Sequence, residues 1–249
     1  MTLSSETDYV YNICPKCGTD TNIAAQPTCE KCGYEVPYAF FIPPDAKWDY
    51  EPELMKILKS HKSLRLMGRY AGAHPEKIKG LNHAKYLWLS KYPKFNFGFL
   101  EGYDQLEVLE LDELAIKNLQ YIDNLINLKS LSIGECDEFE SLIGISKSKS
   151  LKVMRIFSCK KFKYFDGIQE LSQLIYFLYE GKSIESIDFL AGLQDLTVVA
   201  LPTKVLDRNL DPVLQLPNLE KLCLRKNSFD KATIQNFSQV RPDCKLVLW

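Results

Sequence analysis

The chain has 249 residues, 46% hydrophobic and 25% charged, with 31 basic against 32 acidic side chains. This length builds an ample core without disulfides or a partner subunit, and a net charge of −1 excludes a surface that coats nucleic acid by charge alone. No apolar run approaches the ~20 residues of a membrane span, and the polar, acidic stretch Met1–Asn12 has no secretory-signal pattern, so a cytoplasmic, monomeric protein with its eight cysteines reduced is expected.

Taken in chain order, the first feature is a pair of knuckles. Cys14-Pro15-Lys16-Cys17-Gly18 is matched by Cys29-Glu30-Lys31-Cys32-Gly33. Two CxxC turns present four soft thiolates at tetrahedral spacing, which suits Zn²⁺, and each following glycine permits a positive φ. Cys14, Cys17, Cys29 and Cys32 are therefore the expected metal ligands. Four cysteine ligands leave no open coordination position, so the expected zinc is structural. The doubled CxxCG resembles the zinc-ribbon family over roughly residues 10–36. Lys16 and Lys31 stand against Asp20, Glu30 and Glu35. That balance disfavours the nucleic-acid contact made by many ribbons, which is kept as the alternative function.

Composition then changes. Residues 1–60 hold 3 leucines and residues 61–249 hold 32. Pro37, Pro43 and Pro44 predict an extended connector over Val36–Pro44. Trp48–Ser60 reads as a short helix, with Pro52 near its start and Leu54, Ile57 and Leu58 on one face. The expected organisation is a zinc ribbon at 1–36, a linker and capping helix at 37–60, and a repeat domain at 61–249.

From His61 onward the pattern LxxLxL recurs. Hexamers begin at Leu106, Leu128, Leu151, Leu174, Leu196 and Leu219, with weaker ones at His61 and Ala84 and a last one at Asp243. Nine units at steps of 22–24 residues are not a chance pattern. This resembles the leucine-rich repeat family over residues 61–249. The predicted fold is an α/β solenoid with one curved parallel sheet. The fourth and sixth hexamer positions point into the core, and the return segments, such as Leu119, Ile122 and Leu125, add their own apolar set. At the family's ninth position, Cys136, Cys159 and Asn227 fit, whereas Leu114, Lys182 and Lys204 depart from it. Cys136 and Cys159 are thus expected as interior ladder residues. Cys223 and Cys244 have no place in the pattern.

The resemblance implies that exposed strand positions line a concave surface that binds another protein. Those columns place Tyr86, Trp88, Phe157, Tyr176 and Leu178 toward solvent, among Glu110, Asp112, Arg155 and Glu180. Aromatic anchors between carboxylates suit a protein partner with a basic face. His61, His74 and His83 form no catalytic pattern, and no phosphate-binding or nucleophile motif occurs, so no enzyme activity is expected. The expected function is non-enzymatic protein recognition, in its sharper form a bacterial immunity or antitoxin-type neutraliser that masks an effector's active site.

Overall fold

A computed structural model describes residues 14, 17, 28–34, 40–41, 63–67, 81–92 and 95–249, with the strands at 40–41 and 63–67 as backbone. The helix expected over Trp48–Ser60 lies outside the described residues. Ten parallel strands form one sheet in strictly sequential order, β1 (Phe40–Phe41), β2 (Ser63–Met67), β3 (Tyr86–Ser90), β4 (Val108–Asp112), β5 (Ser130–Gly134), β6 (Val153–Phe157), β7 (Tyr176–Glu180), β8 (Val198–Leu201), β9 (Lys221–Leu224) and β10 (Lys245–Leu248). Nine of them are the nine predicted hexamers. The tenth, β1, comes from the proline-rich connector and pairs with β2 through Phe40 and Phe41. The prolines around it predict extended backbone, and at Phe40 and Phe41 such backbone lies beside the sheet edge and pairs as a strand.

Register follows the repeat. Leu109 pairs with Leu131, Leu131 with Met154, Met154 with Phe177, Phe177 with Val199 and Val199 with Leu222. All six are fully buried, as is the sixth-position column of Leu111, Ile133, Ile156, Tyr179, Leu201 and Leu224. One residue of slip would turn every one of these side chains to the other face. Truncating any of them to alanine costs about 2–5 kcal/mol. Behind the sheet, short 3-10 turns close the return segments and bury Ile122, Ile145, Ile168 and Leu190. A row of rings runs through the middle units: Phe139 stacks on Phe162 at 5.2 Å, Phe162 meets Phe165 edge-on at 4.8 Å, and Phe165 stacks on Phe189 at 4.0 Å.

Each strand leaves the sheet by one left-handed residue. Lys91, Glu113, Glu135 and Ser158, all at the eighth position, have φ of 62°, 50°, 50° and 55°. Such backbone costs about 1 kcal/mol for a side-chain-bearing residue. In return the N–H of Glu113 reaches Gly134 O, and that of Glu135 reaches Phe157 O, both at 3.1 Å, and the next side chain turns inward. After Glu135 and Ser158 that next residue is Cys136 and Cys159. Cys136 Sγ accepts from Leu114 N at 3.4 Å, and Cys159 Sγ donates to Phe157 O at 3.4 Å. Burial pushes the Cys159 thiol up to about 12 and the Cys136 thiol higher still, so both remain protonated.

Where the ninth position is lysine, the ladder moves by one residue. Thr203, an eighth-position residue that is fully buried, donates to the carbonyls of Gly181 and Lys182. Ser228 Oγ then donates to Thr203 O at 3.3 Å. The departures at Lys182 and Lys204 therefore relocate the polar ladder without interrupting it. Cys244 closes the core at its far end, and Cys223 lies on the sheet's other face.

Two helices stand among the return segments near the end, α1 (Asp211–Leu214) and α2 (Lys231–Val240). Asp230 caps α2 by accepting from Thr233 N at 2.7 Å, and Phe237 plugs the core. Arg241, the residue after α2, donates to Leu216 O at 2.7 Å and Leu219 O at 2.9 Å. It also pairs with Asp243 at 3.0 Å, so one guanidinium fastens the last unit to the one before it. Among the described residues, no helix is long and apolar enough to cross a membrane.

Candidate functional site

The four cysteines of the knuckles converge. Their sulfurs all lie within 4.8 Å of one another, with Cys14 to Cys32 at 3.6 Å and Cys17 to Cys29 at 3.7 Å. A disulfide would need about 2.05 Å. A tetrahedral metal with metal–sulfur bonds of about 2.3 Å sets its sulfurs about 3.8 Å apart, which these separations match. The second knuckle is closed by Gly33 N donating to Cys29 O at 2.8 Å, with Gly33 at φ 66°. Cys14 and Cys29 are buried, and Cys17 and Cys32 half-buried. The donor set and spacing fit a zinc-type ion, and the cluster can hold one.

Tyr34 follows this knuckle directly and lies beside Glu107 at the start of the third unit. Burial, and then the charge of Glu107, holds its phenol well above the usual range. Glu107 itself is gripped by Lys129 at 2.8 Å and Lys85 at 3.2 Å. Its burial works against ionisation, but the two lysines outweigh that and keep its carboxyl below the ordinary value. The second knuckle therefore touches the flank of the third unit.

The concave face differs from its expected form. The third, fifth and seventh positions of each unit do point away from the core, but the large groups there are not free in solvent. Tyr86, Tyr176 and Leu178 are 7%, 5% and 2% exposed, and Trp88 and Phe157 are half-buried. The expectation that all five face solvent is corrected: in-register parallel strands stack equivalent side chains against one another, so a column of large residues covers itself. Val153, Tyr176, Leu178, Ala200 and Cys223 form a second apolar cluster on this face, with Phe157, Val198 and Val247 against it. That cluster gives Cys223, unexplained by the repeat pattern, its place.

The acidic residues sit toward the strand ends. Glu110 and Asp112 are half-buried, and Glu180 is exposed. The left-handed residues Glu113 and Glu135 bring two further carboxylates beside Asp112. Its carboxyl is pushed up to about 6, first by burial and then by Glu135 and Glu113. Ser90 Oγ donates to Asp112 Oδ2 at 3.3 Å and partly offsets this. Arg155, expected as a surface contact, is 4% exposed and donates through Nη2 to Ser130 Oγ at 3.4 Å. Trp88, Glu110, Asp112, Ser132, Arg155 and Phe157 surround one shallow depression. Five of these six were candidates from the sequence. Ser132 was missed because a small residue carries no signal until its neighbours are known to stand taller.

No family model matches the chain, and no curated protein matches it at a significant level. Among solved structures, internalin C2 of Listeria monocytogenes aligns with a TM-score of 0.60 at 20% identity, over 78% of this chain and 84% of that one. A leucine-rich-repeat protein of Leptospira interrogans gives 0.61 at 19% identity, over 82% of this chain and 54% of that one, so the chain spans about half of that protein's length. At these identities the likeness is one of architecture, and in architecture the chain is a leucine-rich repeat solenoid.

Proposed function

We propose that the chain is a non-enzymatic recognition module that holds a protein partner against its concave face. The observation that carries this reading is the composition of that face between β3 and β7. Half-buried Phe157 adjoins an apolar cluster, half-buried Trp88 borders the same depression as Phe157, and Glu110, Asp112, Glu113, Glu135 and Glu180 lie around them. Rings at the centre with charge around them are the arrangement of a binding hot spot. The rim's sign favours a partner with a basic face and opposes nucleic acid, whose phosphates it repels. A sharper form of the reading is a neutraliser that covers the basic cleft of an effector enzyme.

The cysteine cluster is the structural part of the same reading. Zn²⁺ at Cys14, Cys17, Cys29 and Cys32 would hold residues 1–36 as a small module, followed by a connector at 37–60 and the repeat domain at 61–249. All eight cysteines are free of disulfides, which supports a reducing, cytoplasmic setting. The test is to capture partners from native cells with the wild-type chain and with Trp88→Ala/Glu110→Lys. Loss of the partner in the double variant is expected. Titration with single- and double-stranded oligonucleotides at low salt checks the opposing reading, and no salt-dependent binding is expected.

A further inference from the structure

To the concave face β5 presents Ser130, Ser132 and Gly134, none taller than serine. The register Glu110–Ser132–Arg155 runs across it, so β5 is the floor of a trench between β4 and β6. With strands ~4.8 Å apart, its walls stand roughly 10 Å from each other. The acidic wall is Glu110 and Asp112, the other is Arg155 and Phe157, and Trp88 also borders the space. The free space in it is about 20 Å³, room for about one water molecule, so a larger group enters only as the walls move aside.

Small residues alone would make only a dip in the surface. Arg155 makes it more than that. Its side chain is 96% buried, and its Nε has no hydrogen-bond partner among the described residues. Glu110 and Asp112 share the trench, but among the described residues no carboxylate stands within ion-pair distance of this guanidinium. Arginine cannot shed its charge. Burying it without a counter-ion opposes folding, and a carboxylate arriving from outside removes that penalty. Phe157 and Trp88, both half-buried, are the walls that must move to admit it.

We propose that Arg155 is the anchor for a carboxylate of the protein partner, an Asp or Glu side chain seated over Ser132. The acidic wall opposite receives a Lys or Arg carried beside it on the same segment. This deepens the concave-face reading and rests on it: the partner's basic surface carries one acidic residue at its centre. A planar carboxylate matches the guanidinium fork. A phosphate, with nearly twice the charge, meets repulsion from Glu110 and Asp112.

The test uses the isotope-labelled full chain and three capped tripeptides, Lys-Glu-Lys, Lys-Gln-Lys and Lys-phosphoserine-Lys. The readouts are the Arg155 Nε–H signal, identified by its loss in Arg155→Lys, and the Trp88 indole signal. Lys-Glu-Lys is expected to move both signals and to bind roughly tenfold more tightly than Lys-Gln-Lys. Equal binding of the Glu and Gln peptides, with only Trp88 perturbed, would overturn the carboxylate anchor and leave the concave-face reading standing. Tighter binding of the phosphoserine peptide would overturn it in favour of phosphate. Silence of both signals would overturn it together with the face it depends on. Arg155→Met separates a binding from a structural role. Its melting temperature should rise as the unpaired charge is removed, while the preference for Glu disappears. A lower melting temperature would mean that the guanidinium is satisfied within the fold, and would overturn the proposal.

Discussion

The ring of Phe157 lies over Gly134 on the neighbouring strand, where a Cβ would come within 2.3 Å of its far edge. Glycine is therefore needed for this approach and not for an unusual φ. Gly134→Ala should push the half-buried ring aside at a cost of under about 1 kcal/mol, because the clash falls on the outer end of a side chain that can swing. Partner binding should fall about tenfold through loss of the placed ring. Urea denaturation and a binding titration on the same variant check the two effects separately.

Asp112 should give the protein a measurable pH slope. Its folded value of about 6 lies above the roughly 3.9 of an exposed aspartate, so between those values the folded chain holds a proton that the unfolded chain releases. Stability from this group is therefore greatest below about pH 4 and declines as pH rises through about 6. Asp112→Asn should remove that slope and add about 1 kcal/mol at pH 7, less than the full shift implies because the carboxyl is partly hydrated. Denaturant midpoints across that range, in wild type and variant, provide the comparison.

Arg241 is the fastener of the last unit. Arg241→Ala leaves the Leu219 carbonyl without this donor and the Leu216 carbonyl with only the 3.4 Å bond from Leu219 N, and should cost about 2–3 kcal/mol. Arg241→Lys should recover only part of it, because an ammonium cannot serve two carbonyls and Asp243 in one plane. Chemical denaturation of the two variants tests this order.

Metal removal should act first on the knuckle module and its contact with the third unit. One zinc per chain is expected by elemental mass spectrometry, and a chelator or Cys29→Ser should loosen the knuckle and release Tyr34 from Glu107. The expected result is loss of several kcal/mol from the module's own transition while the repeat transition moves little. A chain that carries no metal and melts unchanged in chelator would contradict the assignment.

Much of the fold was legible because the repeat writes each strand on the same schedule. The column Leu109, Leu131, Met154, Phe177 is a sequence pattern and a register at once. Cys136 and Cys159 were placed in the interior by the resemblance to leucine-rich repeats, whose ninth position they occupy. The β1 strand was not legible: two residues, Phe40 and Phe41, show no periodicity, and only the neighbouring edge makes them a strand. Nor was the polar ladder's move to Thr203, because it depends on which hydroxyl the local backbone turns inward. On the concave face the sequence identified which residues project but not how far they stand from water. Exposure there is set by the neighbouring strand, as Arg155 beside Ser132 and Leu178 illustrates.

The measurement closest to the central claim is a differential capture from native cells. Three baits are compared: the wild-type chain, Trp88→Ala/Glu110→Lys on the concave face, and Tyr121→Ala/Tyr164→Ala among the exposed side chains of the return segments. The account predicts that wild type and the return-segment variant retain the same partner and that the concave variant loses it. Retention by the concave variant together with loss by the return-segment variant would place the binding surface on the other side of the solenoid and contradict the account.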